Sequence, residues 1–461
     1  MKSRQMKTVC VAAFLGLLAV ALGPAAWAQQ APDSGPVLGG AVSADDRVST
    51  DANPQLTFEA YRLELQSDAR PSDSARFHAE AWVRSAGLSP SSLASTAPLF
   101  SVGGIAPVSI DLREAWFEIN GFILPAVDLK VGRQRVAWGT ADRLNVTDNV
   151  NPLDLSDPWD FGRHLGSDGA QLNVYAWGLQ VNAVAVAQLT PAVLPSGLWS
   201  TALMGTGLQV PPGLTLGPVS TTVTLPGLSV ANSVTAGARI KGTVLGVDLS
   251  ASYLYSRQGL PVIDRVVITP ATLPVVNVAL DMVYPREHIF GADLAASVLG
   301  IGLWAEAAVF LPVEVTLTTD ASGVGGGVVQ STALASTPYV KYVIGADYTF
   351  PANIYLNTQF VRGLFSEYGA GNLNDYLSVG LEWRVLDERL VIAPLNVVVG
   401  VHDWSDIPGS YAILASPTLT LHPVDNAELA MGFHWIQAAG STVFGALSGQ
   451  SEVFAHARYS F

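Results

Sequence analysis

The chain has 461 residues, of which 38 are Asp or Glu and 24 are Lys or Arg, so its formal net charge is −14 at neutral pH. Only 13% of the residues are charged while 49% are hydrophobic, which is too little charge for an ordinary soluble domain and too apolar for a disordered chain. The acidic balance argues against a nucleic-acid-binding protein, because phosphate contacts require a basic surface.

The first 28 residues have the pattern of a secretory signal peptide. A positive start, an apolar run and a small-x-small cleavage site are formed in turn by Lys2, Arg4 and Lys7, by residues 9–22, and by Ala26-Trp27-Ala28. The apolar run is shorter than the roughly 20 residues that a membrane-spanning helix needs. We expect cleavage after Ala28 and export. Residues 29–461 would then contain no cysteine, because Cys10 lies in the signal, so no disulfide is expected.

Beyond the signal no apolar run approaches 18 residues, which excludes a helical membrane protein. Instead, apolar and polar residues alternate strictly along several segments. In residues 75–84 one face carries Ala75, Phe77, Ala79, Ala81 and Val83, and the other carries Arg76, His78, Glu80, Trp82 and Arg84. The same alternation recurs in residues 377–385 and 452–461. One face suits lipid and the other a wet lumen, so the pattern predicts an all-β fold, a closed antiparallel transmembrane β-barrel.

Turn signals divide the chain into eighteen strands, with short turns on the periplasmic side and long loops outside. The strands are expected to begin near residues 37, 55, 74, 108, 127, 170, 179, 232, 246, 288, 301, 338, 353, 374, 389, 410, 426 and 450. The first is the weakest, because Gly39, Gly40 and the Asp45-Asp46 pair interrupt its alternation, and sixteen strands is the alternative. No second domain is indicated, so residues 29–461 are expected to form one barrel domain.

The most distinctive stretch runs from Leu112-Arg113-Glu114-Ala115-Trp116 through residues 131–139, Val-Gly-Arg-Gln-Arg-Val-Ala-Trp-Gly, to Asn151-Pro152-Leu153-Asp154. It resembles the Gly-Arg-Gln to Trp-Gly element of porin-like outer-membrane families, which include uncharacterised families and alginate-export porins. The resemblance is specific over about residues 107–170 and implies a barrel of about 18 strands that passes small or polymeric solutes.

Alginate-type channels line their pores with many arginines, whereas the lumen expected here mixes both signs of charge. Its members are Arg76, Glu80, Arg84, Arg239, Lys241, Asp293, Glu306, Lys341, Asp347, Glu382, Arg384 and Glu452. That mixture argues against alginate itself as the solute.

Gly132 stands where the alternation of its strand breaks, which predicts a bulge or a close backbone approach. The donors that follow it, Arg133, Gln134 and Arg135, are expected to lie at the wall, where they are able to bind carboxylates such as Glu114 and Glu118 on the preceding strand. This cluster either holds the barrel as a salt-bridge network or contacts the solute. The acidic segment from Asp142 to Asp160 is long enough to fold into the mouth. The pore candidates are Arg113, Glu114, Glu118, Arg133, Gln134, Arg135, Asp142, Asp148 and Asp154, and no metal site is expected because the spacing of the acids does not match a calcium loop.

Residues 169–238 contain no Asp, Glu, Lys or Arg, and Thr190–Asn232 within them is expected to be an apolar external loop. Residues 260–284 and 323–329 are similar. An exposed apolar loop favours a partner, lipid or greasy ligand. The alternative is that these segments extend the strands or plug the barrel.

His78, His434 and His456 are expected to face inward, but no Gly-x-Ser-x-Gly elbow or His-Glu-x-x-His pair accompanies them, so no enzyme and no cofactor is predicted. The final Tyr459 and Phe461 resemble the carboxy-terminal signature of bacterial outer-membrane barrels, which implies outer-membrane lipid and the barrel-assembly machinery as partners. The sequence therefore predicts a channel for a small or oligomeric solute without a chemical step. The alternative is a structural or export component whose apolar loops, 190–232 above all, bind a surface partner.

Overall fold

A computed structural model describes residues 35–85, 107–142, 144–195, 199, 202–203, 212–227, 230–440 and 442–461. The predicted signal peptide, with Cys10, lies outside the described residues, and so does part of the 190–232 loop.

The regular secondary structure of the described residues consists almost entirely of strands. They are β1 (Val37–Ser49), β2 (Leu56–Ser72), β3 (Ala75–Ser85), β4 (Val108–Ile119), β5 (Val127–Gln134), β6 (Ser167–Ala176), β7 (Leu179–Val186), β8 (Thr215–Thr224), β9 (Thr235–Val244), β10 (Val247–Arg257), β11 (Val262–Pro270), β12 (Val275–Val283), β13 (Arg286–Val298), β14 (Ile301–Pro312), β15 (Val315–Asp320), β16 (Val328–Leu334), β17 (Tyr339–Phe350), β18 (Ile354–Arg362), β19 (Asp375–Val385), β20 (Leu390–Val401), β21 (Tyr411–Ala415), β22 (Thr418–Leu421), β23 (Ala427–Ala438) and β24 (Glu452–Ser460).

Nineteen of these strands form one antiparallel sheet. Strands β21 and β22 lie in line and both pair with β20 and β23, so they occupy a single position. Pro417 lies between them and has no N–H to donate to a ladder, which accounts for the break. The sheet is therefore a barrel of eighteen strand positions, as the turn signals predict.

The barrel closes between its first and last strands. Strand β1 pairs with β24 from Ala41 opposite Ser460 to Ser49 opposite Glu452. Gly40 and Phe461 complete the seam by exchanging two backbone hydrogen bonds of 3.0 and 2.9 Å. A Cβ on Gly40 would lie 2.2 Å from a carbonyl oxygen of β2, so glycine permits this closure. The weakest predicted strand is thus the one that seals the cylinder.

Side chains alternate between the two faces of the barrel wall as the sequence predicts. Around the outside lie exposed apolar residues such as Leu294, Ile344 and Leu377. Their neighbours Asp293 and Glu306 are buried on the inner face. Large aromatic side chains are exposed near both rims, including Trp177, Phe350 and Trp383 at one and Tyr253, Phe290 and Trp435 at the other. This distribution is typical of a wall that faces hydrocarbon between two interfaces.

The two rims of the barrel differ. One, the short-turn end, carries the start of β1 and the end of β24. It also carries tight hairpins such as Trp177-Gly178 and Leu299-Gly300, whose residues all have positive φ. This geometry matches the twist of antiparallel hairpins. The other rim, the long-loop end, carries the longer connections.

Three of those connections build a second sheet of five strands, in the order β16-β15-β11-β12-β8, which we name the outlying sheet. Its strands come from the segments expected to be apolar loops, near residues 190–232, 260–284 and 323–329. They form strands because their alternating side chains bury one apolar face, whose residues are Val266, Ile268, Val276, Val278, Leu280 and Met282.

The described helices are single turns: α1 (Val230–Ser233), α2 (Ile407–Ser410), and 3-10 turns at Ser322–Val324 and Gly445–Leu447. In the described part of the chain, no helix has the length and apolar character required to cross a membrane.

Candidate functional site

The connection between β5 and β6, residues 135–166, folds into the barrel, and we name it the inward segment. Asp154 and Leu155 at its middle are fully buried. Its apolar side chains pack against inward-facing residues of the wall in one cluster, which includes Val136, Trp138, Val146, Val150, Trp304, Val343, Tyr376 and Ile436. The segment therefore crosses the lumen and fills part of it.

The entry into this segment depends on Gly132. Its φ is +127°, a conformation that residues with a side chain rarely adopt. A Cβ at this position would lie 2.3 Å from the carbonyl oxygen of Ala115 and 2.8 Å from the Cα of Trp116 on β4. The close backbone approach predicted from the broken alternation is confirmed, while the register of β5 continues without a bulge against both neighbours.

Replacing Gly132 with alanine is expected to lower the yield of folded barrel sharply, because the added methyl group meets backbone that cannot move aside. Folded and unfolded fractions can be separated by heat-modifiable gel migration after refolding into detergent. Gly380→Ala is the matched control, since Gly380 also lies in a barrel strand and its Cβ would meet nothing within 4 Å. Equal yields for the two variants would contradict a steric role for Gly132.

Glu306, on β14, anchors the far side of the inward segment. Its carboxylate accepts backbone N–H groups from Thr140, Ala141 (2.6 Å), Val146 (3.1 Å) and Thr147 (3.3 Å), as well as the Thr147 hydroxyl (3.1 Å). The side chain is only 3% exposed. A carboxylate that accepts this many hydrogen bonds fixes the local backbone without any cation beside it.

Gln359, on β18, is a second anchor. Its amide nitrogen donates to the carbonyl oxygens of Asp142 (3.0 Å) and Leu144 (3.2 Å), and its amide oxygen accepts the backbone N–H of Asp142 (3.2 Å). The same oxygen accepts the indole N–H of Trp304 at 3.0 Å. Both ends of one side chain thus bind the segment to the wall.

Arg113, on β4, anchors the near side of the segment. Its guanidinium lies 2.8 Å from a carboxylate oxygen of Asp154 and donates to the carbonyl oxygen of His164 at 2.9 Å. The same group lies 4.1 Å above the ring of Trp82, a cation–π arrangement. Arg163, within the segment, lies 3.1 Å from Asp154 on the other side. This buried cluster is the most enclosed ionic group of the site.

Further contacts complete the attachment. Arg47, on β1, binds both carboxylate oxygens of Asp157, at 2.9 and 2.6 Å. Arg135 binds Asp148 within the segment itself. Trp159 stacks on His434 of β23 with ring centroids 4.0 Å apart. Strands β1, β4, β14, β18 and β23 therefore all hold the segment, which places its supports all around the barrel.

The attachment of the inward segment at Asp154 is expected to persist in acid. Burial alone would raise the pKa of the Asp154 carboxyl, but Arg163, Ser156 and Arg113 together lower it to about 2. Because the folded pKa is depressed, the stabilisation is complete above the ordinary value of 3.8 and is lost only as pH falls through about 2. Protease accessibility of the segment next to Asp154 should thus be the same at pH 7 and pH 4. Opening between those values would contradict the assignment.

Most predicted lumen charges lie on the inner face, where they pair with one another. The pairs join Arg84 to Asp111 (2.5 Å), Arg239 to Asp293 (3.0 Å), Arg76 to Glu118 (3.7 Å) and Arg384 to Glu382 (3.1 Å). Glu80 accepts the indole N–H of Trp82, Asp347 accepts the hydroxyl of Tyr355, and Lys241 lines a cavity near Arg239. These contacts form a set of paired charges on the inner wall of the barrel.

The expected binding of Arg133, Gln134 and Arg135 to Glu114 and Glu118 is wrong. Arg133 shares a face with the outward Val131 and binds Asp168 on the outer wall at 2.7 Å, because the closely packed Gly132 keeps the strand in regular alternation. Gln134 is buried and binds backbone carbonyls, and Arg135 turns into the inward segment. Glu114 instead accepts the indole N–H of Trp116 at 2.8 Å.

Cavities lie on both sides of the inward segment. The cavity toward the long-loop end is lined by residues 144–153 and by the long-loop ends of β13, β14 and β17. A second, of about 360 Å³, lies on the other side, where Asp142, Leu144 and Trp159 face Glu382 and the middle of β19–β23. Leu144 and Phe161 line both. The segment therefore divides the lumen into an outer and an inner compartment.

No protein-family model matches the chain, and no curated protein matches it either. Among solved structures it is similar to OmpF of Salmonella typhi in a complex with daunomycin, with 9% identity and a TM-score of 0.40 over 93% of this chain and 98% of that one. It is also similar to OmpT of Vibrio cholerae, with 8% identity and a TM-score of 0.42 over 94% and 99%.

Arg47, Gln359, Trp82, Asp157 and Arg163 belong to the site but were not among the candidates from the sequence. The sequence could have indicated Arg47 and Trp82 as site residues, since both fall on inward positions of predicted strands. Asp157 lies within the acidic segment that was expected to enter the mouth. No sequence pattern indicates Gln359 and Arg163 as site residues, because their partners depend on how the inward segment folds.

Proposed function

We propose that this chain is an outer-membrane channel that passes a small solute without a chemical step, with the inward segment as its constriction. The observation that carries the proposal is the anchoring of that segment to opposite walls, by Arg113 on β4 and by Glu306 on β14. A closed wall with an apolar exterior supports a place in lipid, and the signal-like first 28 residues support export. The terminal Tyr459 and Phe461 support insertion by the barrel-assembly machinery.

The charge distribution in the lumen supports selectivity for neutral or amphipathic solutes over a strongly charged polymer. Arginines and carboxylates neutralise one another in pairs, such as Arg458 with Glu64 at 2.5 Å. Next to them, the cluster around the inward segment is apolar and aromatic. A lumen with few free charges offers little attraction to an anionic chain.

The test is conductance of the refolded chain in planar lipid bilayers, with reversal potentials measured in a salt gradient. We expect discrete, small conductance steps with weak ion selectivity, because most arginines of the lumen are paired with carboxylates. Bilayers that stay silent both with the native chain and with a variant whose inward segment is released would overturn the channel function.

A second candidate function is the docking of a surface partner, and the outlying sheet favours it. Its edge strands β8 and β16 are largely exposed, with Val219 and Val223 on one and Val328 and Val329 on the other. Open edges of low charge are ready to accept another strand. Silent bilayers in the test above, together with retention of the chain in the membrane, would favour this function over conduction.

A further inference from the structure

The outer compartment contains a cavity of about 130 Å³ between the inward segment and the barrel wall. Its wall is formed by the long-loop ends of β10, β13, β14, β17 and β18, and its other side by residues 144–153. The cavity therefore lies on the long-loop side of the constriction.

The cavity has aromatic walls. Phe310 and Tyr339 stack side by side with ring centroids 5.1 Å apart and planes 5° apart, and Phe161, Phe365 and Tyr368 also line the space. A cavity of about 150 Å³ lined by apolar side chains holds one benzene ring. The size and lining thus suit a single six-membered ring.

Two buried polar side chains in the cavity have atoms without a well-aligned hydrogen bond among the described residues. They are Oε2 of Glu287 and the amide oxygen and nitrogen of Gln258, which lies beside Glu287 and Tyr339. The two side chains are only 5% and 6% exposed. Unpartnered polar atoms at such depth are uncommon and costly, so they point to a group that the cavity receives.

The other charged groups that line the cavity are already engaged. Lys341 donates to the carbonyl oxygen of Leu364 at 2.7 Å, and Glu367 accepts the backbone N–H groups of Leu364 (3.0 Å) and Asn374 (2.9 Å). Asp148 is bound by Arg135, and Arg257 donates to backbone carbonyl groups. Three polar atoms of the cavity are therefore left without a well-aligned hydrogen bond among the described residues, the acceptors Oε2 of Glu287 and Oε1 of Gln258 and the donor Nε2 of Gln258.

We propose that this cavity binds a single-ring aromatic compound that carries an N–H or O–H donor, with the ring between the aromatic walls and the donor on Glu287 and Gln258. We expect an aromatic carboxylate to bind more weakly in the same place, because its charge would lie beside the Glu287 carboxylate. This inference rests on the proposed channel, of which it names the solute class.

The test is equilibrium binding of benzylamine, phenol and benzoate to the refolded full chain in detergent, followed by calorimetry. We expect saturable binding of benzylamine and phenol, and benzoate weaker by at least about tenfold, since each unpaired buried charge costs more than 1.4 kcal/mol. Glu287→Gln should weaken benzylamine by a similar factor and phenol less. Val361→Phe, which fills the cavity from β18, should remove binding of both.

Glu382→Gln is the matched control, because Glu382 is a lumen carboxylate that lines the inner cavity and not this one. If Glu287→Gln fails to fold, Gln258→Leu tests the same donor requirement. Absent binding, binding of benzoate as tight as benzylamine, or native-like affinity in both Glu287→Gln and Gln258→Leu would each overturn the inference. If the chain conducts but binds none of the ring compounds, this inference is wrong and the proposed channel function stands. If the chain binds them saturably but does not conduct, the proposed channel function is wrong.

Discussion

Glu306→Ala is expected to raise the single-channel conductance, because it detaches the inward segment from β14. The substitution removes the acceptor for the backbone N–H groups of residues 140, 141, 146 and 147. Each buried donor left without a partner costs about 1–3 kcal/mol, so their sum favours release of the segment into water over retention. With the lumen less obstructed, conductance should increase on the order of twofold or more and fluctuate more.

Glu382→Ala is the control for this result. It removes the same side chain from the inner face, but Glu382 is half-exposed and pairs with Arg384 rather than with the segment. We expect its conductance to remain near the native value, with at most a small change in ion selectivity. If Glu306→Ala conducts no more than Glu382→Ala in the same membranes, Glu306 does not hold the constriction.

Arg113→Met is expected to cause the largest loss of stability at the site. It leaves the fully buried Asp154 carboxylate with Arg163 and Ser156 as its remaining side-chain partners and removes the guanidinium from the ring of Trp82. Breaking a buried ion pair by removing one partner costs about 3–5 kcal/mol. Unfolding of the refolded barrel in urea, followed by tryptophan fluorescence, would show this loss as a lower midpoint.

The double variant with Asp154→Asn completes the experiment. Because the neutral amide no longer needs the cation, the double variant should be more stable than Arg113→Met alone. Arg133→Met is the control in the same Gly-Arg-Gln element, since its exposed pair with Asp168 is worth only about 0–1 kcal/mol. Equal losses for Arg113→Met and Arg133→Met would contradict the buried anchor.

The barrel itself could be predicted from the sequence because its rule is local. The alternation of apolar and polar residues repeats in each strand, so a wrong assignment in one strand does not affect the others. Whether Arg84 or Glu382 faces the lumen follows from the residues next to it in its own strand. The strand starts expected from the turn signals agree with the structure to within three residues throughout. Gly39 and Gly40 interrupt the alternation of the first strand because they lie at the seam where β1 meets the end of β24, so the interruption does not argue against a strand there.

The site was only partly predictable because its contacts join segments far apart in the chain. Asp142 and Gln359 meet across the lumen, and no period in either stretch encodes the other. Arg133 and Arg135 look equivalent in sequence, yet they diverge because one lies in a regular strand and the other beyond its end. The outlying sheet escaped prediction for the same reason, since its strands pair between separate loops.

The outlying sheet also constrains the order in which the molecule can assemble. Its parallel ladders join Thr215 to Val275 and Arg265 to Thr318, so each ladder takes strands from two connections that follow different barrel hairpins. Such long-range pairs can form only after the hairpins that carry them are side by side, because the loops must first be brought together. The outlying sheet is therefore expected to form late in folding, after barrel strands β7 to β17 have paired. Removing the connection that carries β11 and β12 should weaken the other two, because β8 pairs with β12 and β15 pairs with β11.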